Sequence, residues 1–146
     1  MLFRSHDSRE STGYSIVTPD GKRLAVATDI GMINENIMNS IYGSDLILLE
    51  SNHDVGMLQN GPYPYFLKQR ILSDHGHLSN ENCAKAAVKL MESGTTRFVL
   101  GHLSKENNVP YLAYETTRSA MTMAGAKENI DYLLAVAGNN NPVIAL

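Results

Sequence analysis

Three apolar runs in this chain each lead into a residue that can bind a metal ion or move a proton. Leu24–Ala27 is followed by Asp29, Leu46–Leu49 by Glu50, and Phe98–Leu100 by His102. If the runs are strands of one α/β sheet, these side chains gather at one rim, because ligands sit where the carboxyl ends of such strands open. His6-Asp7, after the apolar start Met1–Phe3, would be a fourth case, and His77 lies at the mouth of a helix. Histidines and a carboxylate at one rim make a metal-site composition, suited to zinc, manganese or iron.

Two of those histidines stand in the same motif. Gly-His-Leu-Ser-x-Glu-Asn is written at Gly76–Asn82 and again at Gly101–Asn107. In each copy the serine, Ser79 or Ser104, can cap a following helix. The flanking residues do not match, which argues against a duplicated structural unit. The motif instead marks two passages into helical structure, each carrying a histidine.

The elements that must position these residues can be read from periodicity and turn chemistry. Pro19-Asp20-Gly21 between two apolar stretches predicts a hairpin. Asn34 caps a helix that Gly43 stops. Leu46–Leu49 reads as a buried strand. Residues 51–73 read as loop-rich, with two prolines, three aromatics and one short helix in "NGPYPYFLKQR". Cys83, Ala86, Ala87, Leu90 and Met91 then form one helical face, closed by Gly94. A strand at 97–100, a helix at 110–124 closed by Gly125, and a strand at 130–137 complete the order β-β-α-β-α-β-α-β, an α/β layered domain.

Composition narrows the function classes. A chain of 146 residues makes a single domain with a sizeable core. A net charge of −3 gives no global basic field, leaving only a local groove for nucleic acid. The single cysteine, Cys83, sits on the apolar helix face as a core residue, and its solitude fits a reducing, cytoplasmic setting. No apolar run is long enough to span a membrane. Lys68, Arg70, Lys85, Lys89 and Arg97 read as solvated faces, and the methionines as filler.

The segments "SHDS", "ATDIG", "LLESNHD", "LSDHGHLSNEN" and "LGHLSKENN", in that order, resemble the second half of a metallo-β-lactamase-fold hydrolase. The likeness is to the YycJ/WalJ-like nuclease branch, related to the ribonuclease Z and ribonuclease J lineages, and it runs from His6 to at least Gly125. It implies an α/β fold: the C-terminal half of the αββα sandwich, one mixed sheet with helices on one face. Residues 1–146 would then be a partial domain, lacking the half with the family's His-x-His-x-Asp-His motif. His75 and His77 share its first spacing, but no Asp-His comes after them.

The resemblance implies residue roles as well. His6, Asp29 and His102 are metal ligands, with Asp29 bridging two divalent ions, zinc or manganese. Glu50 and His77 form the pair beside a scissile phosphate, and His53, Asp54 and Ser79 lie near the substrate. The expected activity is metal-dependent hydrolysis of nucleic-acid phosphodiesters by the complete enzyme. This chain alone is expected to bind metal weakly and to be inactive. Its expected partners are a nucleic acid substrate and either an N-terminal half or a second copy, with no membrane. The competing readings are a non-enzymatic interaction module and a family hydrolase acting on esters or lactams.

Overall fold

The computed structural model describes residues 2–4 and 12–138. Among the described residues, six strands form one mixed sheet in chain order: β1 (Leu2–Arg4), β2 (Thr12–Val17), β3 (Arg23–Ala27), β4 (Leu46–Glu50), β5 (Arg97–Gly101) and β6 (Leu133–Val136). The β1, β2 and β3 pairings are antiparallel, and β3 through β6 run parallel. The expected hairpin joins β2 to β3, with Gly21 at a positive φ of 83° and its N–H donating to the Thr18 carbonyl.

Five helices connect the parallel strands: α1 (Glu35–Ile41), α2 (Val55–Asn60), α3 (Tyr65–Leu72), α4 (Asn80–Glu92) and α5 (Pro110–Met123). Their apolar sides explain where they sit. Ile37 and Ile41 of α1, Cys83, Ala87 and Leu90 of α4, and Ala113 and Met121 of α5 join one cluster with alternate strand residues Ala25, Ala27, Ile47, Leu49, Phe98 and Leu100. Because strand side chains alternate between faces, α1, α4 and α5 cover the same side of the sheet, as expected. Cys83 lies wholly within this core.

The opposite face is less covered. The register aligns Tyr14, Val26, Leu48, Val99 and Ala135 in one row and Ile16, Leu24, Leu46, Arg97 and Leu133 in the next. Val99 is buried, Leu24, Val26, Leu46 and Leu48 are half-buried, and Tyr14 and Ile16 are 46% and 50% exposed. The sheet therefore presents an apolar second face.

Two expectations are corrected. The segment 51–73 holds two helices rather than one. Asp54 starts α2 by accepting from the Met57 N–H, and Pro64 precedes α3 with its φ preset. The short helix expected in "NGPYPYFLKQR" is α3, and the additional one is α2, whose six residues bury only Leu58 and so leave no 3.6-residue apolar stripe to read. Ser104, for its part, does not cap the next helix. It closes a local turn by accepting from the Asn107 N–H, and α5 begins later, at Pro110, with no side-chain cap.

Candidate metal centre

The carboxyl ends of β3, β4 and β5 do converge. Asp29 follows β3, Glu50 ends β4 and His102 follows β5, while His77 precedes the Ser79 cap of α4. Ligand-type atoms of Asp29, Glu50, His77 and His102 all lie within 4.8 Å of one another.

Glu50 is the hub. It is fully buried, and its Oε1 accepts from the Nδ1–H of both His77, at 2.8 Å, and His102, at 2.6 Å. Its Oε2 accepts from the Ile30 N–H at 2.7 Å. Burial alone would push this carboxyl up. The hydrogen bonds from His102, His77 and Ile30 outweigh it, and the group lies below the usual carboxylate range. With both oxygens occupied, Glu50 orients imidazoles rather than offering a free ligand.

Tautomer chemistry fixes the consequence for the rings. An Nδ1–H held by a carboxylate leaves the Nε2 lone pair of a neutral imidazole outward, the arrangement found behind metal-bound histidines. The Nε2 of His102 stands 3.6 Å from Asp29 Oδ1. Two ligands about 2.1 Å from a tetrahedral ion sit roughly 3.4 Å apart, so this pair fits one ion with little movement. His77 meets His102 edge-on, with ring centroids 5.3 Å apart.

Backbone placement is equally specific. Asp29 and His102 both adopt left-handed conformations, with φ of 56° and 57°. Non-glycine residues held there carry strain of order 1–3 kcal/mol, which surrounding structure must impose. Two glycines supply part of that framework. A Cβ on Gly31 would lie 2.3 Å from the Asp74 carbonyl oxygen, and one on Gly76 would lie 2.1 Å from that of Ile71. The loop carrying Asp29 and the turn leading to His77 thus pack backbone against backbone.

Behind the site lies a buried polar network to which the residue pattern alone assigned no role. Asn52 holds both histidine loops: its N–H donates to Leu78 O, its Nδ2 to His102 O, and its carbonyl accepts from Ser104 N. Asn80 and Asn108 pair amide to amide at 2.9 Å, and Ser51 donates to Asn80 Oδ1. The asparagines in and beside each copy of the motif were the available signal.

Of the other candidate residues, His6 lies outside the described residues. His53 is buried, its ring nitrogens find no hydrogen-bond partner among the described residues, and burial pushes its pKa down. Asp54 caps α2 and Ser79 caps α4. These three have evident structural surroundings, with His53 and Ser79 bridged backbone to backbone.

No family model matches the chain. It is 39% identical over 128 residues to exodeoxyribonuclease WalJ of Streptococcus pneumoniae, covering 88% of this chain and 47% of that protein. It is 40% identical over 109 residues to exodeoxyribonuclease YycJ of Bacillus anthracis, covering 75% of this chain and 41% of the relative. The chain therefore spans about half the length of the relatives it matches. Among solved structures, Zn(2+)-bound PqqB of Methylobacterium extorquens aligns with a TM-score of 0.55 at 21% identity, over 93% of this chain and 43% of that one.

Proposed function

We propose that this chain, a relative of the WalJ and YycJ exodeoxyribonucleases with the metallo-β-lactamase fold, carries one side of a two-metal centre for phosphodiester hydrolysis of DNA. The observation that carries the reading is the shared Glu50 oxygen, which presents His102 Nε2 toward Asp29 while holding His77 beside them. Asp29 and His102, with His6, would hold zinc or manganese. A divalent pair in such a site brings a bound water's pKa toward neutrality and neutralises charge on the phosphoryl oxygens.

The chain's own groups would do the rest. Glu50 fixes the His77 ring through Nδ1, so a protonated His77 presents its Nε2–H outward. That proton can pass to the departing sugar oxygen as general acid, a contribution typically worth about 10²–10⁴-fold. The polar network at Asn52, Asn80 and Asn108 keeps the two histidine loops at fixed separation.

Activity belongs, in this reading, to the complete enzyme. Catalytic zinc usually takes about three protein ligands plus water, and His6, Asp29 and His102 shared between two ions fall short of that. The 146 residues by themselves are expected to bind metal weakly, without turnover. The apolar second face of the sheet, with Tyr14 and Ile16 outermost, would be covered by an N-terminal half or by a second copy. An unpaired Cys83 accords with a cytoplasmic setting, and among the described residues no helix is long and apolar enough to cross a membrane.

The test is metal titration into the purified chain, then single-turnover cleavage of single-stranded DNA with and without chelator. Weak metal binding and no cleavage are expected, with cleavage appearing when a polypeptide carrying the remaining ligands is added. Two tight metals and chelator-sensitive cleavage by this chain alone would overturn the inactivity. No metal binding at any concentration would overturn the metal centre.

A further inference from the structure

One wall of His77 faces a cleft that the metal centre does not use. The cleft, about 320 Å³, is lined by Asn52, Tyr63, Leu67, Arg70, His77 and Ser104 among others. Among the described residues its lining includes one permanent cation, Arg70. It holds one aromatic ring, Tyr63, and its volume is at the low end of ligand-pocket sizes, about 300–1,000 Å³. Ser104 accepts hydrogen bonds from Asn107 but donates none among the described residues, so its O–H remains available to a ligand oxygen.

The cleft is fixed relative to His77 by backbone contacts. Leu67, Arg70 and Ile71 fall at i, i+3 and i+4 on one face of α3. The His77 N–H donates to the Ile71 carbonyl at 3.1 Å, and only glycine fits at Gly76, where a Cβ would lie 2.4 Å from the Arg70 carbonyl oxygen. The helical turn carrying Arg70 is therefore tied to the backbone of the proposed proton donor.

We propose that this cleft is the subsite for a single nucleotide of the DNA strand, on the leaving-group side of the scissile bond. Tyr63 stacks on the base and Arg70 pairs with the adjoining phosphate. Ser104 donates to a phosphate or sugar oxygen. Stacking on an aromatic ring tolerates any base, and a cation on a phosphate reads backbone rather than sequence, so the subsite binds single strands without base preference. The proposal rests on the nuclease reading for its substrate, and its position beside His77 assigns the leaving-group side.

The experiment measures binding of a fluorescent oligothymidylate to the 146-residue chain by anisotropy, with chelator present and from about 50 to 200 mM salt. Chelation removes the metals from the result, so failure of the subsite and failure of the metal centre are read separately. Tyr63→Leu is expected to weaken binding about 10-fold and Tyr63→Phe to leave it within about twofold, the scale of one lost base stack. Arg70→Ala should lower the slope of log affinity against log salt by about 0.7, one phosphate contact on a single strand, and Arg70→Lys should keep it. Tyr65→Leu, on the other side of α3 and 77% exposed, is the control and should change nothing. Far-ultraviolet circular dichroism establishes that each variant is folded. Wild-type affinity and salt slope retained in Tyr63→Leu and Arg70→Ala would overturn the proposal, as would no binding by the wild-type chain.

Discussion

Gly76–Asn82 and Gly101–Asn107 spell the same motif and reach the same oxygen, yet they build different structures. Both histidines donate Nδ1–H to Glu50 Oε1, and both serines accept an N–H three residues on. After that they part. Ser79 opens the 13-residue helix α4, whose buried face anchors it to the sheet. Ser104 closes only a turn before α5, and His102 itself sits in the left-handed region. The first copy hangs its histidine on a helix entry beside an open cleft, while the second strains its histidine toward Asp29. Identical local chemistry thus yields distinct surroundings, set by the residues on the C-terminal side of each motif.

The largest effect should come from removing what the copies share. Glu50→Gln replaces a carboxylate that accepts from two imidazoles and the Ile30 N–H. Hydrogen bonds to charged groups contribute about 1.5–3 kcal/mol, so a loss of at least about 2 kcal/mol is expected from the urea midpoint at unchanged slope. The same change should weaken metal binding about 10–100-fold in the complete enzyme.

Glu50 also sets an acid limb. Its carboxyl is depressed in the folded chain, so the unfolded chain takes up protons first as pH falls. The stability it contributes is complete above the unfolded pKa, about 4.3, and is lost as pH falls through the folded value. Urea midpoints measured between about pH 6 and pH 3 should fall more steeply in wild type than in Glu50→Gln.

Substituting each histidine tests whether the copies differ in function. In the complete enzyme, His77→Ala should lower kcat about 10²–10⁴-fold with metal content near normal. His102→Ala should lose metal along with activity. Metal loss on His77→Ala with full metal in His102→Ala would reverse the two roles.

The serines give the smallest contrast. Ser79→Ala removes the N-cap of a long buried helix and should cost about 1 kcal/mol. Ser104→Ala removes a turn closure and should cost less than about half of that, by the same denaturation measurement. Equal losses would mean that the turn at Ser104 bears as much of the fold as α4 does.

Much of this was legible in the sequence, and the reasons for the rest are physical. The hairpin at Pro19-Asp20-Gly21, the Asn34 and Ser79 caps and the apolar face of α4 are local signals, and the structure has each. The placement of Asp29, Glu50 and His102 after successive parallel strands was readable because strand ends share a rim. Helix α2 was missed, since six residues with only Leu58 buried leave no apolar period. Nor could spacing reveal that Glu50 meets His102 as well as His77, because a shared oxygen depends on side-chain directions after folding. The left-handed backbone at Asp29 and His102 left no trace either. Glycine normally marks such positions, and here an aspartate and a histidine occupy them.

The central claim is that one carboxylate fixes both rings as Nδ1–H and leaves His102 Nε2 to share an ion with Asp29. Two-bond proton–nitrogen correlation spectra of the imidazoles read the ring tautomers directly, first without metal and then with added zinc. Neutral His77 and His102 are expected as Nδ1–H, with zinc shifting the Nε2 resonance of His102 and leaving its Nδ1–H in place. An Nε2–H tautomer for either ring, or zinc shifting His77 while His102 stays unmoved, would contradict the claim.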